Sequence, residues 1–235
     1  MTIARLIKPV ALLLVLLFMP TELLLASEIE QENIVDQSRM TLRSFLADSN
    51  MGWFRDHIKD AKGIFIVPQL LKGAFFFGAA GGSGVFLVKD EKTGEWSEPA
   101  FYTMGAGSFG FQFGAQASEV VLLAMSQRGV ESMLSSTFKL GADVSVAVGP
   151  VGGGIEGSTA MNLSADLLSF ARAKGLFGGI SLEGAVIATR DEWNQDYYGK
   201  AVRPIDILVK QTVTNPQSSI LRAALARASA GTSTN

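Results

Sequence analysis

Residues 78–125 read GAAGGSGVFLVKDEKTGEWSEPAFYTMGAGSFGFQFGAQASEVVLLAM, and the architecture is read outward from them. Val85-Phe86-Leu87-Val88 and the run Trp96 to Tyr102 flank a polar stretch, Lys89 to Glu95, with Gly94 near its end. Two apolar runs joined by turn chemistry of this kind predict a β-hairpin. Phe109, Phe111 and Phe113 alternate with Gly110, Gln112 and Gly114, the period of two that a strand imposes. Val120 to Met125 is continuously apolar and reads as a further strand. Glycine weakens a strand through entropy, so its density here needs a cause. The usual ones are bulges, tight bends, or close approach of another backbone or a ligand.

The same grammar extends on both sides. Ile64 to Val67 predicts a short buried strand closed by Pro68. Gln127 to Leu134 predicts one short helix, Val144, Val146 and Val148 an alternating strand, and Leu167 to Phe170 and Ile180 to Ala188 two more. Of 25 glycines, 22 lie between Gly63 and Gly184, which confines this character to one zone. Helical patterns flank it. Val35, Ser38, Leu42 and Phe45, with Leu46 beside them, form one stripe for docking on a core. Ser49 to Gly52 breaks that helix, and Trp53, Phe54 and Ile58 begin another. Downstream, Asp191 is placed to cap a helix through Tyr198 ended by Gly199. Pro204 suits the first turn of a helix over Ile205 to Val209, and Leu221 to Ala228 is Ala-rich and helical. The expected class is α+β: a glycine-rich, antiparallel, barrel-like sheet flanked by N- and C-terminal helices.

Composition narrows the chemistry. The chain has 235 residues, is 48% hydrophobic and 18% charged, and carries a formal charge of -2. That excludes a disordered chain, and a pI near 5.5 excludes a strongly basic nucleic-acid binder. With no Cys and one His, thiol chemistry and multi-histidine metal centres are excluded. Residues 1–26 have the pattern of an export signal. Arg5 and Lys8 precede the apolar run Val10 to Phe18, Pro20 ends it, and Ala26 before Ser27 offers a cleavage position. The expected organisation is a signal peptide over 1–26, one domain over 27–210, and a C-terminal helix and polar tail over 211–235.

Enzymatic motifs do not survive their context. Gly105-Ala-Gly107-Ser-Phe-Gly110 spells GxGxxG, but the alternation from Phe109 removes the helix a dinucleotide site requires. Ser83 has Gly81 before it but Val85 after it, so no nucleophile elbow forms. His57 reads as a surface residue beside Asp56, and Asp191-Glu192 as a favourable helix start. An internal echo is more specific: Ala61-Lys62-Gly63-Ile64-Phe65 recurs as Ala173-Lys174-Gly175-Leu176-Phe177. Its lysines either face phosphates beside lipid-entering apolar residues or mark two equivalent strand starts in solvent. Phe75-Phe76-Phe77 adds a triplet in which at least one ring must leave one sheet face.

Taken together, GAAGGSG (78–84), GEWSEPAF (94–101), FGFQFGAQASEVVLL (109–123), KLGADVSVAVGPVG (139–152), RAKGLFGGISLEG (172–184), DYYG (196–199) and PIDIL (204–208) resemble the SYLF domain family. The likeness spans about residues 34–209. It implies phospholipid binding without catalysis and without a cofactor; eukaryotic members also bind and bundle actin. Two features set this chain apart. The family's eukaryotic N-terminal segments are basic, whereas residues 28–60 hold seven acidic and four basic residues. An exported chain also meets no actin, so actin binding is not expected.

The expected function is therefore an exported, periplasmic or secreted, non-enzymatic domain that binds phospholipid or a membrane surface. Lys62, Phe65, Lys72, Phe76, Arg172, Lys174 and Phe177 are the candidate contacts, with no catalytic or metal-ligating residue and no nucleic-acid partner. The competing expectations are an outer-membrane β-barrel or structural envelope protein, and a small-molecule enzyme on the same scaffold.

Overall fold

The computed structural model describes residues 21–74, 78–108, 114–151, 164–173, 176–178 and 182–231. Within them lie six α-helices: α1 (Thr21–Ala47), α2 (Gly52–His57), α3 (Gln127–Met133), α4 (Asp191–Tyr198), α5 (Pro204–Leu208) and α6 (Ser219–Ser229). The strands are β1 (Gly63–Ala74), β2 (Gly78–Val88), β3 (Ala100–Ser108), β4 (Gly114–Ala124), β5 (Thr137–Lys139), β6 (Val146–Val148), β7 (Leu167–Ala173), β8 (Leu176–Gly178) and β9 (Val186–Thr189). Residues 1–20, which carry most of the expected export signal, lie outside the described residues, as do Phe75–Phe77, Phe109–Phe113, Lys174 and Ile180.

The nine strands form one sheet in the order β5-β9-β3-β2-β1-β4-β7-β6, with β8 also on β7. The two edges, β5 and β6, are consecutive in the chain. Six residues, 140–145, separate them, and such a segment reaches about 25 Å when extended. A flat eight-strand sheet would hold its edges about 34 Å apart. The sheet therefore curls. Its inner face gathers a core from both edges: Phe138 and Leu140 from one side, Leu167 and Ala171 from the other, and Phe65, Phe86, Tyr102 and Leu122 between. Tyr102 meets Phe65 and Phe86 edge-on, at 5.9 and 6.3 Å, and donates its hydroxyl to the Met133 carbonyl. Helices α3 and α5 add Val130, Met133, Ile207 and Leu208.

The outer face has its own core. α1 lays Val35, Leu42 and Phe45 against Ile64, Ile66, Val85, Val121 and Leu123, as its stripe predicts. α2 adds Phe54, α4 adds Trp193 and Tyr197, and α6 adds Leu221 and Leu225. Covering both faces explains why Val120 to Ala124 is apolar without alternation: all five side chains are buried.

Four details differ from expectation. Pro68 does not close β1; the strand passes through it on a bulge, with register shifts between Val67 and Leu70 against β4 and between Ile66 and Leu71 against β2. A central strand tolerates Pro only where the ladder is already interrupted. The bulge pushes β1 backbone toward β2, and a Cβ at Gly82 would overlap the Gln69 carbonyl, one at Gly84 the Ile66 carbonyl. Close approach of a neighbouring backbone is thus the cause of glycine there. Ile180 to Ala188 is not one strand, because residues 183 and 184 turn before β9 begins at Val186. β6 pairs with β7 in parallel, the one parallel pairing among the described strands. Asp191 is the first residue of α4 and Arg190 takes the capping position, though the side chain makes no capping hydrogen bond.

Candidate functional site

Strand direction gives the sheet two ends. Gly63, Val88, Ala100, Ala124 and Leu167 lie at the lower one. Ala74, Gly78, Ser108 and Gly114 lie at the upper one, with Ala173 near it on β7. The sequence joins these upper strand ends through Phe75–Phe77, Phe109–Phe113 and Lys174-Gly175, so the chain's Phe-rich connections all depart from one end of the sheet.

The helical layer stops partway up the outer face, at two polar contacts. On one side Arg172 of β7 pairs with Glu119 of β4, whose other oxygen accepts from Thr41 of α1 at 2.9 Å. On the other, the Arg190 guanidinium lies 3.5 Å from the centroid of the Trp193 ring and donates to Ser83 Oγ at 2.9 Å. Burial lowers the Arg190 pKa from its ordinary value, against the opposing pull of Glu30 and Glu192. One step above these contacts the outer face is bare. Leu71 pairs with Gly81 and Ala117, Gly81 with Gly105, and Gly105 with Val186. Leu71 is 55% exposed and Val186 40%, while Gly81 and Ala117 are also exposed. A Cβ at Gly105 would have nothing within 4 Å. The row Leu71–Gly81–Gly105–Val186 holds no charge and no polar side chain.

The candidate residues named from sequence separate. Lys62 sits below β1 at the lower end, its amide bonded to the Ala124 carbonyl and its ammonium paired with Glu91. Ala173, which precedes Lys174, stands toward the upper end, so the two copies of the Ala-Lys-Gly echo are not brought together. Phe65 is 1% exposed inside the inner core and has no surface to offer. Arg172 is held by Glu119. Phe177 pairs with Arg172 through the β7–β8 ladder. Phe76 and Lys174 lie outside the described residues. Lys72 remains, half-buried on β1 beside Leu71.

Sequence reading missed the row around Leu71. Its signal was present: Leu70 and Leu71 are adjacent in a strand and must face opposite ways, and only Leu70 has a core to enter. A second missed feature is a buried clamp. Glu98 accepts from Arg222 Nη1 at 2.9 Å and from Ser218 Oγ at 2.6 Å, and Arg222 Nε donates to the Trp96 carbonyl at 2.8 Å. Tyr198 donates to the Pro99 carbonyl and Tyr197 to Gln217 Oε1, both at 2.6 Å. Burial, then the Glu98 carboxylate, pushes both phenol pKa values up, which keeps them donors. The blocks GEWSEPAF and DYYG thus fasten α6 to the sheet, and Glu98 is spent on holding the fold. A cleft of about 340 Å³ lies elsewhere, lined by Leu134, Ser136, Thr189, Asp191, Arg203, Pro204 and Ile205. Its one carboxylate, Asp191, has no second carboxylate for acid–base work.

An outer-membrane barrel needs an outward-facing apolar band all round. Here α1, α2, α4 and α6 cover the lower outer face instead. Among the described residues no helix is long and apolar enough to cross a membrane.

Residues 105–228 match the family described as "Ysc84: Las17-binding protein actin regulator". SH3 domain-containing YSC84-like protein 1 of Homo sapiens is 34% identical over 165 residues, covering 70% of this chain and 48% of that protein. The Bos taurus protein of the same name is 36% identical over 152 residues, covering 64% of this chain and 44% of its own length. LAS seventeen-binding protein 3 of Saccharomyces cerevisiae is 35% identical over 147 residues, covering 61% of this chain and 32% of that protein. This chain therefore spans about half, or less, of the relatives it matches, and the yeast relative is named as a binding protein. With the family match covering more than half of its length, the chain belongs to the Ysc84 family, the SYLF domain family that its sequence blocks resemble.

Proposed function

We propose that this protein is exported and acts without catalysis, by associating with phospholipid surfaces through the upper end of its sheet. The observation that carries the reading is the bare outer row of Leu71, Gly81, Gly105 and Val186, at the end from which the Phe-rich connections depart. Burying an exposed leucine is worth about 1.5–3 kcal/mol, a gain that contact with acyl chains would supply. The row itself is apolar, with Lys139, the register partner of Val186, at its far end and Lys72 on the opposite face beside Leu71, so burial of apolar surface is the main attraction and the two lysines add to it on anionic surfaces. The test is flotation of the protein, expressed with its own N-terminal segment and purified as the host processes it, on phosphatidylcholine and on mixed phosphatidylglycerol vesicles. Co-flotation is expected with both. Absence from both, at low salt, sinks the proposal. Intact mass reports the export half: cleavage after Ala26 is expected, and a cytosolic full-length product contradicts it.

A second reading has its own support. The family description names an actin regulator, and one relative is named for binding LAS seventeen. The same bare row would then receive a protein. Co-sedimentation with filamentous actin separates the two: pelleting with filaments and indifference to vesicles favours the second.

A further inference from the structure

We propose that Lys72 binds a single oxyanion, phosphate or carboxylate, at the upper mouth of the curled sheet. The inference deepens the membrane reading and depends on it only for the lipid source of the anion. The direction of Lys72 follows from register. Leu70 is in the inner core, and no shift interrupts β1 between Leu70 and Ala74, so Lys72 faces inward two residues further up. Its partner on β2, Ala80, packs against the same inner core, and so does Ala106, which pairs with Ala80 from β3. On β4 its partner is Gln116, and Ser118 stands one inward step below, paired with Leu70 and Ala173.

Among the described strand residues Lys72 is the only charged side chain on the inner face. The other inward positions are apolar, glycine, or neutral and polar. Among the described strand residues no Asp or Glu shares that face; Glu119, two residues before Val121, is outward and held by Arg172. A lysine directed into an apolar interior is rarely kept there unless its charge is used or paired. The lining changes at its level. Below it the inner face is filled by Phe65, Phe86 and Tyr102; beside it stand Ala80, Ala106 and Ser118. Small neighbours let the long side chain extend toward the upper end with its ammonium available to meet an anion. The bare outer row lies on the other side of the same strand, one residue away at Leu71. An amphiphile held at this end would set acyl chain against the outer row and headgroup over the mouth.

The test compares the protein with its Lys72→Gln variant. One arm is flotation on phosphatidylcholine vesicles with and without phosphatidylglycerol; the other is the shift in melting temperature caused by inorganic phosphate. Lys62→Gln, at the opposite end, is the control, and Lys72→Arg should retain function. Loss of about fivefold or more in binding to the anionic vesicles alone, with Lys62→Gln unaffected, supports a headgroup. If neither protein floats but phosphate raises the melting temperature of the parent and not of Lys72→Gln, the anion is free phosphate; the membrane reading then fails and this one stands. Equal behaviour of parent and Lys72→Gln in both arms overturns the proposal. Should Gln at this position unfold the chain, Lys72→Met carries the same comparison.

Discussion

The lower and upper halves of the sheet share the same four long strands and differ in what covers them. Below, α1, α2, α4 and α6 seal the outer face while Phe65, Phe86 and Tyr102 fill the inner one. Above, Leu71, Gly81 and Ala117 are exposed outside, and inside the lining shrinks to Ala80, Ala106 and Ser118 around one lysine. The glycines make the contrast sharpest. Gly82 and Gly84 are required because the β1 bulge presses its backbone onto them; Gly105 has open space where a side chain would go. The same residue type therefore closes packing in one half and leaves a smooth surface in the other. Among the described residues, burial is concentrated in the lower half, and exposed apolar surface on the sheet's outer face lies in the upper half.

Substitution at the two kinds of glycine should break this comparison most visibly. Gly84→Val must displace the Ile66 carbonyl and Val67, and is expected to cost more than about 4 kcal/mol, read as loss of cooperative urea unfolding or of soluble protein. Gly105→Ala meets nothing, and should be neutral or stabilise by up to about 1 kcal/mol through the glycine entropy it removes. Similar losses at both sites would mean that the upper row is packed after all.

Two ion pairs sharpen the contrast. Glu98 is buried, and removing it leaves Arg222 and Ser218 without their acceptor, so Glu98→Ala should cost about 3 kcal/mol in equilibrium unfolding. Glu119 and Arg172 sit at the border of the covered region, about a quarter exposed, and Glu119→Ala should cost about 1 kcal/mol. If the order reverses, the border contact, and not the α6 clamp, fastens the helical layer.

Leu71→Ser tests the upper row directly. Its side chain has no core to leave, so stability should stay within about 0.5 kcal/mol. Vesicle affinity should fall about tenfold, the equivalent of about 1.4 kcal/mol of lost apolar burial. A destabilised variant with unchanged vesicle binding would make Leu71 a structural residue.

Much of the covered half was legible because it obeys local rules. The stripe of Val35, Ser38, Leu42 and Phe45 has helical spacing, and all four are buried. The turn between Val88 and Trp96, the helix opened by Pro204 and the helix over Leu221 to Ala228 are equally local. What stayed hidden was long-range. Pro68 looks like a strand end until Gly82 and Gly84 on the neighbouring strand are seen to make room for a bulge. The parallel pairing of β6 depends on the sheet curling until its edges approach. The echo at Lys62 and Lys174 reads either as phosphate-facing lysines or as two strand starts, because sequence carries no strand direction; pairing registers put Gly63, after Lys62, and Ala173, before Lys174, toward opposite ends. Glu98 finds Arg222 across 124 positions, and no spacing rule connects them.

A corner of the covered half should show an effect that fades with pH. Asp166 accepts from Ser126 Oγ at 2.5 Å and from Ser145 Oγ at 2.6 Å, and Ser126 in turn caps α3 by accepting from Gly129 N. Burial acts to raise the Asp166 pKa, but the hydrogen bonds from Ser126 and Ser145 outweigh it and hold the carboxyl below its ordinary value of 3.8. A depressed folded-state pKa means the charged form is favoured by folding. Its contribution is complete above the unfolded value and is lost as pH falls through the folded one. Asp166→Asn should therefore cost about 1 kcal/mol at pH 7. The gap between the two proteins should narrow as pH drops below about 4, where the parent also loses the charge. Urea unfolding of both at pH 7, 5 and 3.5 reads this. A gap that stays constant across the series would place the effect in side-chain packing and leave no role for the carboxylate charge.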